Sequence, residues 1–90
     1  MVAVRDFVDK RDRIHVSLDV DGIDPSEFQC INTPVADGLR VEDLKAALKI
    51  VQSSDKLLSM DVVEFNPTTN PEHASDNIDT VMELVASVLT

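Results

Sequence analysis

Residues 14–25 read IHVSLDVDGIDP, and this stretch decides how the rest of the chain is read. Ile14, Val16, Leu18 and Val20 alternate with His15, Ser17, Asp19 and Asp21. That is the period of a strand, expected over 14–20. Acids, then Gly22 and Pro25, end it. In open α/β sheets the chemistry sits beyond the carboxyl ends of the strands. Aspartates at i and i+2 of a strand project to the same side. Asp19 and Asp21 are therefore candidate ligands for a hard divalent cation of the Mn, Mg or Ca type, which prefers carboxylate oxygens. Acids at a strand end also serve as plain solvated caps, and the stretch alone leaves both readings open. A calcium-binding EF-hand loop fails. Counted from Asp19, the third acidic position is Ile23 and the closing glutamate position is Cys30.

Downstream, residues 21–40 hold both glycines and two of the four prolines, and read as a long shaped loop. Val41, Leu44, Ala47, Leu48 and Val51 share one face of a helix expected over 41–53, with Glu42 and Asp43 in its first turn. Leu57–Glu64 reads as a second strand, apolar enough to be covered on both faces. Asn70-Pro71-Glu72 reads as a helix start with Asn70 as N-cap, and the helix is expected over 71–89. Its apolar face is expected to be Ile78, Val81, Met82, Val85, Val88 and Leu89, with Met60 and Met82 in the core. Upstream, Val2, Val4, Phe7 and Val8 lie close to one face of a short helix.

The order (α)-β-loop-α-β-α makes a parallel strand pair with a helical crossover. Both strand ends then point the same way, so Asp19, Asp21 and Glu64 converge on one edge of the sheet. Two parallel strands do not complete a fold. The expected class is α/β: a fragment of a three-layer α/β/α parallel-sheet fold, or a subunit that completes its sheet by association.

Ninety residues make one domain at most, and 43% hydrophobic residues suit a folded chain with a marginal core. Seventeen acidic against eight basic residues give a net charge of −9. That argues against a nucleic-acid or anionic-membrane partner and suits a metal or a cationic substrate. Cys30 is the only cysteine, which rules out an internal disulfide and a thiolate cluster and fits a reducing cytoplasm. No apolar run approaches the roughly 18 residues of a membrane span. The opening MVAVRDFVDKRDR is charged too early for a signal peptide. His15 is expected to be a hydrogen-bonded strand histidine and His73 a surface residue.

Three runs in one order, HVSLDVDGIDP, NTPVADGL and LLSMDVVEFNP, closely resemble the C-terminal part of the arginase/agmatinase/formiminoglutamase (ureohydrolase) family. The likeness covers about residues 14–89 and is nearest to arginases. The family's strands end S-F-D-V-D-G-x-D-P and D-x-x-E-x-N-P, with G-T-P-V in the loop between. The resemblance implies a hydrolase of linear amidine C–N bonds. In it a hydroxide bridging two manganese ions attacks a guanidinium carbon, that of arginine or a similar cationic small molecule, and releases urea. It implies that Asp19 bridges the two Mn2+ ions and that Asp21 binds one of them. Glu64 pairs with the guanidinium, Thr33 lies near the substrate end of the pocket, and Asp61, Asn66 and Asp24 support the site from behind.

The family's other ligands come from upstream GGDH and D-A-H-x-D motifs, which this sequence lacks. Cys30-Ile31-Asn32 stands where the family has a small, glycine-containing sequence, and Arg40 replaces a hydroxyl-bearing helix cap. No complete catalytic set is therefore expected here, and the isolated chain is expected to be inactive. A homo-oligomer, or the rest of a parent chain, would complete the site. The competing readings are a non-catalytic relative acting as a self-associating or metal-binding module, and an agmatinase or formiminoglutamase.

Overall fold

The alternation in residues 14–19 forms strand β1, Ile14–Asp19, in the computed structural model, which describes residues 2–89. Helix α1, Val2–Asp9, precedes it, and helix α2, Val41–Ser54, follows the long loop. Strand β2, Leu57–Val63, and helix α3, Ala74–Leu89, complete the expected order. The strands pair in parallel, from Ile14 opposite Leu57 to Asp19 opposite Val63, so both carboxyl ends reach the same edge. The register slips once, between Ile14 and His15, and leaves Leu58 without a partner and 67% exposed.

One face of this sheet is apolar and covered. Ile14 and Leu18 of β1, Leu48 and Val51 of α2, and Leu84 and Val88 of α3 share one buried cluster. The loop contributes as much as the helices do, with Ile23, Phe28, Cys30 and Ile31 fully or nearly fully buried. The other face, with His15, Ser17, Asp19, Ser59, Asp61 and Val63, is exposed. The expectation that the second strand is covered on both sides therefore does not hold within the described residues. They form no layer over the polar face, and so build only part of a three-layer α/β/α arrangement.

Local physics shifts several expected features. The first strand stops at Asp19, because Val20–Gly22 wind into a 3-10 turn. The second stops at Val63, one residue short of Glu64. Pro71–His73 form a 3-10 turn ahead of α3, and Asn70 gives it no side-chain cap. Asn70 Nδ2 donates instead to the Gln29 carbonyl at 2.6 Å. Met60 packs partly against the core as expected, but Met82 is 62% exposed. The buried face of α3 is Asn77, Leu84 and Val88, and Ile78, Met82 and Leu89 point outward. Phe7 is also exposed, and the Arg11 guanidinium lies 4.5 Å over its ring.

Arg40 does not cap α2 with its side chain. The cap comes from the loop: Glu27 Oε2 accepts from Val41 N at 3.0 Å and lies 3.5 Å from Arg40 Nε. At its other end α2 closes on Asp55 in the left-handed region.

Candidate functional site at the carboxyl ends of the strands

Asp19 ends β1 in extended conformation, and its Oδ1 accepts from Asp21 N at 3.2 Å. Asp21 is thus not a second strand residue beside Asp19, which corrects the i, i+2 strand geometry. A side-chain-capped turn brings the two carboxylates together instead. The Asp21 carboxyl is held above its ordinary pKa of 3.8, first by a hydrogen bond with the Asp19 side chain, then by burial and by the charges of Asp19 and Glu64. Like charges this close favour a shared proton or a cation between them. Glu64, the first residue beyond β2, stands near enough for its charge to act on Asp21. Its φ is 69°, the left-handed region, which costs a non-glycine residue on the order of 1 kcal/mol or more and tends to occur at functional sites.

Asp19 and Asp21 thus stand at one sheet edge as two hard oxygen donors, and Glu64 follows the end of β2 at that same edge. Among the described residues, no three His, Cys, Asp or Glu side chains come together as a metal-ligand set. The donors fit one side of a divalent cation without enclosing it.

Behind the acids, the open sheet face carries a polar ladder. Ser17 Oγ donates to Asp61 Oδ1 at 2.6 Å, His15 Nε2 lies 3.3 Å from Asp61 Oδ2, and His15 Nδ1 shares a 2.6 Å hydrogen bond with Ser59 Oγ. Asp61 therefore supports the strand pair, and His15 is the hydrogen-bonded strand histidine expected. His73 is half-buried in its turn. The Cys30 thiol is buried, donates to the Asn70 carbonyl at 3.3 Å, and is pushed up in pKa by that burial, the opposite of what a nucleophile needs.

Thr33 is exposed in the long loop. Asn66 ties that loop to the segment after Glu64: its N donates to the Cys30 carbonyl at 2.8 Å and its Nδ2 to Asn32 Oδ1 at 3.0 Å. Asp24 organises the start of the loop. Its carboxylate accepts from Ser26 N at 3.0 Å, from Ser26 Oγ, and from Gly38 N at 3.1 Å. The Ser26 bonds hold its pKa below the ordinary 3.8. A depressed carboxylate contributes stability above its unfolded pKa and loses it as pH falls through the folded value. Wild type is therefore expected to lose more stability than Asp24→Asn on acidification below about pH 4. Melting curves of both proteins between about pH 6 and pH 2 check this, and parallel curves would count against it.

Three residues important to this geometry escaped the sequence reading: Glu27, Asn32 and Asn77. For Asn77 a signal was present. It lies at 77 on the stripe continued by Val81, Leu84 and Val88, and a polar residue on an apolar stripe needs buried partners. Glu27 and Asn32 sit in the aperiodic loop, where spacing carries no such signal.

Residues 1–90 match the family model for the arginase family. The chain belongs to the arginase family. An arginase of Emericella nidulans is 41% identical over 76 residues, which are 84% of this chain and 24% of that protein. The crystal structure of arginase from Bacillus subtilis superposes with a TM-score of 0.87 at 30% identity, covering 98% of this chain and 32% of that one. Entamoeba histolytica arginase, solved in complex with L-ornithine, gives a TM-score of 0.80 at 33% identity over 98% of this chain and 29% of that one. The chain thus spans a quarter to a third of the length of these arginases. Among the described residues, no helix is long and apolar enough to cross a membrane.

Proposed function

We propose that this chain is the C-terminal part of an arginase-like, manganese-dependent ureohydrolase. The observation that carries the reading is the Asp19–Asp21 pair, joined by the Asp21 N–H bond to Asp19 Oδ1, at the shared end of two parallel strands, with Glu64 the first residue beyond β2. Asp19 and Asp21 are the residues that would hold Mn2+, a hard cation suited to their oxygens. A bound metal pair supplies the nucleophile by acidifying water. Glu64 receives the cationic guanidinium, which a carboxylate can accept through two parallel hydrogen bonds. Thr33 serves the substrate end of the site. Asp61, Asn66 and Asp24 hold the strands and loop around it. The substrate is arginine or a close cationic relative, and the ornithine bound by the Entamoeba protein has matching chemistry.

Two donors do not close a metal site, so the chain by itself is expected to be inactive. Ile78, Met82 and Leu89 of α3 and the unpaired Leu58 are exposed, and a groove of about 380 Å³ runs between β2 and α3. That surface suits burial against further arginase-fold chain or a second copy. The single buried thiol fits a reducing, cytoplasmic setting. Urea release from L-arginine with added Mn2+ tests the reading. No turnover above background is expected from the purified chain, and robust turnover would overturn the assignment of an incomplete site.

A further inference from the structure

We propose that Asn32 is a positioning residue, whose side chain fixes where Glu64 stands relative to Asp19 and Asp21. Asn32 Oδ1 accepts two hydrogen bonds from the segment after β2, from Asn66 Nδ2 at 3.0 Å and from Thr69 Oγ1 at 3.0 Å. Asn66 also donates its backbone N–H to the Cys30 carbonyl at 2.8 Å, so two adjacent ties join the loops. Glu64 lies two residues before Asn66 with φ 69°. A non-glycine residue keeps that conformation only where its surroundings over-determine it. On one side β2 fixes it, through Val63 opposite Asp19. On the other side stand Phe65, edge-on against Phe28 with ring centroids 5.6 Å apart, and then Asn66.

The Asn32 clasp completes the second side. It is an exposed anchor made between side chains, and a glycine at position 32 would have no such acceptor. The clasp also couples Glu64 to the neighbouring Thr33, so both proposed substrate contacts hold one spacing. This rests on the reading of Glu64 as the guanidinium partner.

The test uses the isotope-labelled 90-residue chain in solution NMR. A residue with positive φ gives a strong nuclear Overhauser effect between its own amide and α protons, and wild-type Glu64 is expected to show one. Asn32→Ala should weaken it. Asn32→Asp, which keeps the oxygen acceptor, should restore it, and Thr69→Val, which removes one bond of the two, should weaken it in part. Amide exchange at Leu18 in the core should stay unchanged in all three, showing that the fold is intact. A Glu64 signal that persists in Asn32→Ala and Thr69→Val would overturn the proposal and leave Asn32 a local tether of the Thr69 turn.

Titration with L-arginine separates this from the underlying reading. Amide resonances of residue 64 that move in wild type but not in Glu64→Gln support the guanidinium role. Arginine-insensitive Glu64 resonances with a clasp-dependent Overhauser effect would end that role and leave the positioning intact.

Discussion

Gly38→Ala is expected to destabilise the chain by about 2–3 kcal/mol, a large share of what a chain this small can hold. A Cβ there would lie 2.7 Å from Asp24 N, 2.7 Å from Gly22 O and 2.9 Å from Asp24 Cα. All three are backbone atoms, so no side chain can swing away. Those atoms also belong to the strap that closes the loop on the Asp21 turn. Asp24 N donates to the Leu39 carbonyl at 2.8 Å, and Leu39 N donates to the Gly22 carbonyl at 2.8 Å. Relieving the contact stretches this strap and the Gly38–Asp24 carboxylate bond together. Gly22 is the internal control, because nothing lies within 4 Å of a Cβ built there. Urea unfolding of both variants gives the answer. A Gly38→Ala midpoint equal to that of Gly22→Ala would show that the strap yields at little cost.

Asn77→Ala is expected to cost about 3 kcal/mol and to lower the melting temperature by roughly 10 °C or more. Asn77 is 2% exposed, and its Oδ1 accepts from Gln29 N at 2.9 Å and Cys30 N at 2.8 Å. Its Nδ2 donates to Gln29 Oε1 at 3.0 Å. Alanine leaves two backbone N–H groups without a partner beside the core, and each such loss costs about 1–3 kcal/mol. The consequence reaches the site, because this clamp holds Cys30, whose carbonyl receives Asn66 N. Loosening should therefore appear first as faster amide exchange at Asn66. A thermal shift of only a degree or two would mean that water replaces the amide and that the clamp is dispensable.

Periodicity made much of the fold legible. The alternation in β1 returned as buried Ile14 and Leu18 against exposed His15, Ser17 and Asp19. The stripe in α2 returned as buried Leu48 and Val51, with Val41 and Leu44 packed on the core. The crossover then required parallel strands and a common edge, which placed Glu64 just beyond β2 at the edge where β1 ends in Asp19. The apolar residues of α3 ran too far around the helix for spacing to choose a side. Packing among β1, β2 and α2 chose Leu84 and Val88 and left Met82 and Leu89 outside.

For IHVSLDVDGIDP, the sequence by itself determined a strand with one buried face, acids at its tip and an arginase-family pattern. Those properties depend on residue type and short-range spacing, which a sequence displays directly. Tertiary structure alone decided that Asp21 reaches Asp19 through a capped turn, that Asn77 clamps the loop from 48 positions away, and that Asn32 grips the turn after Glu64. The last two join segments distant in sequence, and their geometry exists only once the core has brought those segments together; the first is local, but strand alternation gives no sign that the chain turns at Val20.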